Sequence, residues 1–328
     1  MNQQTHTSYP ADPRIYQITT LSGLLIYGMG WLDFEINLPR AFTLIGAALL
    51  TQFLCTKAWN LPKYDPKSAL ISGLSLCLLL RTNEPFLAIL TAITTIASKF
   101  ILRWNGKHLF NPTNLGIVSM MLMTGAVWVS PGQWGNIAFF GFLMACLGGL
   151  VVNRASRSDV TFAFVGFYLA VLLGRALWLG QPMTIPIHML QSGAFLLFTF
   201  FMISDPKTTP NSRAGRILFA FLVAAGAGVV HFVLYRPNGL LWSLAVFSMF
   251  TPVIDRLLPG EKYEWRNVKK EPTRKGETYE NKIHSHNNAL PALAIHGKGS
   301  ISFLRLLCRK GRHQAFQQSL PGGNCTAR

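Results

Sequence analysis

Gln191-Ser-Gly-Ala-Phe-Leu-Leu-Phe-Thr-Phe-Phe-Met-Ile-Ser-Asp-Pro-Lys-Thr-Thr-Pro210 is an apolar run that stops at an Asp-Pro pair and then turns basic through Arg213 and Arg216. That is the pattern of a membrane helix running into a polar turn. An earlier stretch, Ile71-Ser-Gly-Leu-Ser-Leu-Cys-Leu-Leu-Leu-Arg-Thr-Asn-Glu-Pro85, follows the same plan, with Ser-Gly at the start, an apolar run, and a carboxylate followed by proline. A second pair lies at nearly the same offset: Lys107-His-Leu-Phe-Asn-Pro-Thr-Asn-Leu-Gly-Ile-Val118 matches Phe232-Val-Leu-Tyr-Arg-Pro-Asn-Gly-Leu-Leu-Trp-Ser243. The chain therefore reads as a duplication.

Composition places the duplicated unit in a bilayer. Half of the 328 residues are hydrophobic and 13% are charged, against roughly 25% charged in soluble domains. A spanning helix needs about 20 mostly apolar residues, fewer where it is broken inside the protein. On that rule segments are expected at 15–32, 41–59, 68–81, 86–103, 113–129, 134–153, 160–179, 187–204, 214–235 and 239–255. The expected architecture is an all-α integral membrane protein of about ten transmembrane helices. An N-terminal segment (1–14) precedes a transmembrane domain (15–261) made of repeat one (15–129) and repeat two (134–255). With an odd number of segments per repeat, the second half enters the membrane from the opposite face, and the halves are inverted copies.

Charge sets the expected orientation. Arg14, Lys57, Lys63, Lys67, Lys99, Arg103, Lys107, Arg154, Arg157, Lys207, Arg213 and Arg216 fall on the side of the termini, against Arg40, Arg81, Arg175 and Arg236 on the other. Lys and Arg concentrate in cytoplasmic loops, so both termini are expected in the cytoplasm and the protein in the cytoplasmic (inner) membrane. From Lys262 the chain becomes polar and basic, and residues 262–328 are expected to be a disordered cytoplasmic tail. A short interfacial helix around 300–313 is the alternative. The net charge of +17 is accounted for by topology and this tail, with nucleic acid not expected as a partner. Cys55, Cys77, Cys146, Cys308 and Cys325 form no CxxC, and no His/Cys metal pair, nucleophile with adjacent base, or Gly-rich phosphate loop is evident. Neither catalytic residues nor a metal are expected.

Phe110-Asn-Pro112, the run from Ser192 to Pro206, and the closing Pro252-Val-Ile-Asp255 resemble the D subunit of the Rnf electron-transport complexes and the related B subunit of the sodium-pumping NADH:quinone reductase. Asp12-Pro-Arg-Ile-Tyr-Gln17 and Asp205-Pro-Lys-Thr-Thr-Pro210 look closest to stand-alone Rnf-D-like proteins found beside enediyne biosynthesis genes. The resemblance covers residues 12–260. It implies a flavin-carrying membrane protein, binding FMN or riboflavin, that passes electrons within a multi-subunit redox complex coupled to ion movement. Other membrane and peripheral subunits would be its partners. Relatives that hold FMN covalently do so through a Ser-x-Ala-Thr type motif, which is absent: Ser192-Gly-Ala-Phe195 has phenylalanine in the threonine place. Thr184 is the nearest substitute.

Candidate site residues cluster at the interruptions. Asp205 and Glu84 end equivalent segments, either as ion or coupling sites, because charge at membrane depth is costly, or as simple helix stops. Asn111, Asn114 and Asn83 serve either a flavin edge or the backbone. Arg81 and Arg236 either clamp a flavin phosphate or snorkel to the interface. His231 reads as a core histidine. Beside the electron-transfer reading stand an inverted-repeat transporter that has lost the flavin and a structural membrane partner of a redox or biosynthetic complex.

Overall fold

The computed structural model describes residues 12–30, 37–129 and 158–263. The expected segment at 134–153 and the basic tail from residue 264 onward lie outside the described residues. What is described is mostly helical. The elements are α1 (Pro13–Gly30), α2 (Leu38–Ala58), α3 (Pro66–Leu79), β1 (Leu80–Thr82), α4 (Pro85–Ile101), β2 (Arg103–Trp104), β3 (Lys107–His108), α5 (Pro112–Thr124) and β4 (Val127–Val129). After the gap come α6 (Ser158–Leu179), α7 (Thr184–Leu190), α8 (Gly193–Leu197), a π-helical turn (Phe198–Met202), α9 (Arg213–Phe232), α10 (Gly239–Ser248) and α11 (Thr251–Leu257).

Local chemistry sets the helix starts. Pro66, Pro85 and Pro112 occupy the first turns of α3, α4 and α5, where a missing N–H is an orphan in any case. Asn111, Ser192 and Ser212 accept hydrogen bonds from the backbone N–H of Asn114, Phe195 and Gly215, closing one orphan donor each at the starts of α5, α8 and α9. Gly125, at φ 63°, ends α5 in the left-handed conformation that favours glycine.

Three described helices are long and apolar enough to cross a membrane, α2, α6 and α9, or up to five spans if the bent pairs α7/α8–π (51°) and α10/α11 (54°) each count as one. Phe42, Leu50 and Leu54 on α2, Phe162 and Leu177 on α6, and Phe221 and Val229 on α9 are exposed, an apolar surface suited to lipid.

The structure differs from the expected segments in three ways. The helices expected to continue through 81 and 129 end at Leu79 and Thr124, and β1 and β4 pair antiparallel instead, Arg81 opposite Trp128. A second short pair, β2 with β3, follows α4. The expected single segment 187–204 is broken at Gln191, because Ser192 caps a new helix.

Side-chain contacts sort the loops into two ends. At the first end Arg14 pairs with Asp12 and Asp65, Lys67 with Asp12, Lys107 with Asp255, and Asp159 with Arg216. At the second end β1 meets β4, Arg40 donates to the Thr82 carbonyl, and Arg175 lies over the Phe232 ring. Within a membrane, lipid is as apolar as leucine, so close backbone approach holds helices together. Gly116 of α5 faces Thr91 and Thr95 of α4, and Gly226 of α9 faces Ser243 and Phe247 of α10.

Candidate functional site

Two cavities occupy opposite ends of α3. Asp65, Ser68, Ser72 and Ser75 line the first, of about 300 Å³, and Leu79 lines the second, of about 250 Å³. Spacings of three and four residues keep these five positions on one helix face. At 1.5 Å per residue the face runs about 21 Å from Asp65 to Leu79.

The first cavity is polar. Arg14, Lys99, Arg103, His108, Asn111, Thr113, Asp205 and Lys207 complete much of its wall. Lys99 is 5% exposed, and its Nζ donates to Ser68 Oγ at 3.1 Å. Burial, followed by the nearby charges of Arg103, Lys99 and Lys207, pushes the His108 pKa down to about 3, so the imidazole is neutral. At the rim, burial opposes ionisation of Asp12, but hydrogen bonds from Arg14 and Lys67 outweigh it and hold the carboxyl below its usual range.

The second cavity is aromatic. Tyr168 stacks on Phe164 and on Phe195, each with its centroid 5.6 Å away, and the two phenylalanines lie 6.2 Å from each other, so the three rings form a triangular cluster. Phe198, His231, Asn238 and Gly239 also line the space. Among the described residues that line it there is no Lys or Arg.

Met202 lines both cavities at the end of the π-helical turn, a feature often found at functional sites. Asn111 Nδ2 donates to the Met202 carbonyl at 3.4 Å. One turn further along α5, Asn114 Nδ2 donates to the Leu241 carbonyl of α10 at 3.1 Å. The N-termini of two short helices therefore meet beside the break in a third.

Several residues singled out from the sequence come together here. Asp205 lines the first cavity and folds the turn after the π-helix: its Oδ1 accepts the Lys207 N–H at 2.9 Å, and its carbonyl accepts the hydroxyls of Thr208 and Thr209. Asn111 and Asn114 are buried and fasten α5 to the π-helical turn and to α10. Arg81 is 3% exposed, and its Nη1 donates to the carbonyls of Cys77 and Leu80. Glu84, Asn83, Arg236 and Thr184 are exposed and line neither cavity. Sequence reasoning missed Lys99, which reads as a loop charge, and the face Ser68–Ser72–Ser75, hidden in an apolar run. Tyr168 lacked any signal, as one aromatic among many. Among the described residues no group of His, Cys, Asp and Glu could hold a metal ion.

Residues 120–264 match the NQR2, RnfD, RnfE family. The chain resembles the D subunit of the Rnf-type ion-translocating oxidoreductases. It is 32% identical over 127 residues to the D subunit of the ion-translocating oxidoreductase complex of Alcanivorax borkumensis, covering 38% of this chain and 35% of that protein. The corresponding Escherichia coli K12 protein is 30% identical over 140 residues, 41% of this chain and 36% of that one. The D subunit of the proton-translocating ferredoxin:NAD(+) oxidoreductase complex of Clostridium ljungdahlii is 24% identical, with 72% of this chain and 87% of the relative covered. The chain thus spans about a third of the length of the first two relatives and most of the third. The family match takes in Asp205, Thr184 and Arg236, whereas Arg81, Glu84, Asn111 and Asn114 lie before it.

Proposed function

We propose that the chain is a membrane subunit of an ion-translocating electron-transport complex, built from two inverted halves and holding a flavin in the aromatic cavity. The observation that carries this reading is the relation between the cavities. The first is made by the start of α3, the end of the π-helical turn and the start of α5. The second is made by the start of α8, the end of α3 and the start of α10. Exchanging the broken elements exchanges the cavities, as expected for halves related by an axis in the membrane plane. Packing runs in parallel, since α2 packs on α4 and α4 on α5, while α6 packs on α9 and α9 on α10. The names of the relatives supply the redox and ion-translocating context.

The aromatic cavity suits a flavin ring. Tyr168, Phe195 and Phe198 offer flat apolar surface, and Asn238, which makes no side-chain cap bond, supplies amide groups for a polar ring edge. A lining without Lys or Arg favours uncharged riboflavin over the FMN phosphate. Thr184, exposed and outside both cavities, is poorly placed to tether it. A bound flavin would supply the electron-carrying chemistry, and these residues would position the ring and exclude water. The first end, rich in Lys and Arg, faces the cytoplasm, and other subunits of the complex cover part of the surface.

Flavin released from the purified protein by denaturation tests this. Wild type should yield stoichiometric flavin, and Tyr168→Ala and Phe195→Ala should lower occupancy while the protein stays folded. A flavin-free wild type, or full occupancy in both variants, would overturn the flavin site. The missing Ser-x-Ala-Thr motif favours a second reading, an inverted-repeat transporter that has lost the flavin. Folded protein without flavin that still moves an ion across liposomes would support it.

A further inference from the structure

We propose that the first cavity binds a phosphate-type oxyanion at the N-terminus of α5. The first N–H groups of a helix point outward with the positive end of its dipole and favour anions. In α5, Asn111 Oδ1 takes the Asn114 N–H, and Thr113 lies at the second position of the helix and lines the cavity.

Three further observations point to an anion here. Lys99 is almost wholly buried and reaches the cavity, yet its hydrogen-bond partner is a neutral hydroxyl, Ser68 Oγ, and among the described residues no carboxylate lies within ion-pair distance of it. A buried ammonium is costly without a directly paired anion, and Asp65 and Asp205 act on Lys99 only from beyond ion-pair distance. Second, Ser75 and Thr113 are 7% and 4% exposed and line the cavity, and among the described residues their hydroxyls find no hydrogen-bond partner. Third, the cationic side chains in the wall, Arg14, Lys99, Arg103 and Lys207, outnumber its carboxylates, Asp65 and Asp205. The carboxylates in the wall are engaged: Asp65 pairs with Arg14 at 2.6 Å, and Asp205 Oδ1 holds the Lys207 N–H.

An oxyanion is the ligand class that this donor set satisfies. Lys99 Nζ has N–H groups beyond the one given to Ser68, and the hydroxyls of Ser75, about 10 Å further along α3, and of Thr113 add neutral donors along the same cavity. Burial first, and then the charges of Arg103, Lys99 and Lys207, lower the His108 pKa and keep its imidazole neutral in the same wall. With a volume of about 300 Å³ the cavity has room for the phosphate at Lys99 and for the body of a phosphate ester reaching toward Ser75 and Thr113.

The test is binding to the intact protein in lipid-free detergent at fixed ionic strength, by calorimetry, with inorganic phosphate, glycerol 3-phosphate and chloride as titrants. A nanodisc arm compares phosphatidate with phosphatidylcholine by thermal stabilisation. Saturable binding of phosphate or its ester over chloride is expected. Lys99→Met should weaken it at least about tenfold, Ser75→Ala less, and surface Lys63→Gln not at all. Stabilisation confined to the phosphatidate nanodisc would assign the phosphate to a lipid headgroup, whereas binding of the soluble compounds would assign it to a free metabolite. If Lys99→Met fails to fold, Ser75→Ala and Thr113→Val carry the comparison. Affinity unchanged in all folded variants, or chloride equal to phosphate, or no stabilisation in any arm, would overturn the site. None of these readouts depends on flavin or electron transfer.

Discussion

Asn114 of α5 donates its side-chain amide to the backbone carbonyl of Leu241 in α10, 127 residues later, at 3.1 Å. Together with Asn111 and Met202, this bond fastens the starts of the two short helices to each other and to the broken one. Asn114→Leu removes the donor and leaves the Leu241 carbonyl only its bond within α10, a loss of one buried hydrogen bond worth about 0.5–1.5 kcal/mol. The melting temperature in detergent should fall clearly in Asn114→Leu. In Asn111→Ala it should fall by the loss of a helix cap, about 1 kcal/mol, together with the bond to Met202.

Gly116 offers a second check on the packing. A Cβ there would lie 1.9 Å from Thr95 Oγ1 and 3.1 Å from the Thr91 carbonyl. Gly116→Ala should destabilise by about 1–3 kcal/mol through overpacking. Thr95→Ala in the same chain should recover part of that loss, because the hydroxyl goes and the backbone carbonyl remains. A double-mutant cycle of thermal unfolding measures the coupling.

Acid sensitivity follows from His108. Its folded pKa, about 3, lies below the ordinary 6.5, so the unfolded chain binds the proton more readily. The stability contributed by the neutral imidazole is complete above pH 6.5 and declines as pH falls toward 3, with a limiting slope of about 1.4 kcal/mol per pH unit. Unfolding measured between about pH 7 and 5 should show a weaker pH dependence in His108→Gln than in wild type.

Asp205 separates charge from turn geometry. Asp205→Asn keeps an oxygen for the Lys207 N–H, so stability should change by less than about 0.5 kcal/mol, while Asp205→Ala loses the turn bond and melts earlier. If the carboxylate serves ion coupling in the first cavity, ion-coupled electron transfer in a reconstituted complex falls in both variants. Full activity in Asp205→Asn would leave Asp205 as a turn residue alone.

Hydropathy made the apolar helices legible, together with the prolines at their starts, and Ser192 and Asn111 as polar punctuation inside apolar sequence. The switch from helix to strand at Leu80 was not legible, because Leu80-Arg-Thr82 is as buried as the helix before it, and burial rather than backbone geometry dominates a hydropathy profile. Asp205 and Asn111 could be picked out because polar groups beside proline in apolar runs stand out. Lys99 could not, since a lysine at the end of a helix normally reads as a loop charge, and only the fold turns it inward against Ser68. Glu84 and Asp205 end matching runs, but one is exposed and the other lines a cavity. The duplication alone could not distinguish them.

On the proposed function the two cavities, both lined by Met202, open toward opposite sides of the membrane. Sided labelling with a membrane-impermeant maleimide tests this most directly, in a chain with its five native cysteines replaced and Ser72→Cys or Asn238→Cys introduced singly. Ser72→Cys should react only from the cytoplasmic side, and Asn238→Cys only from the other. Labelling of both from the same side would contradict the inverted arrangement and the function built on it.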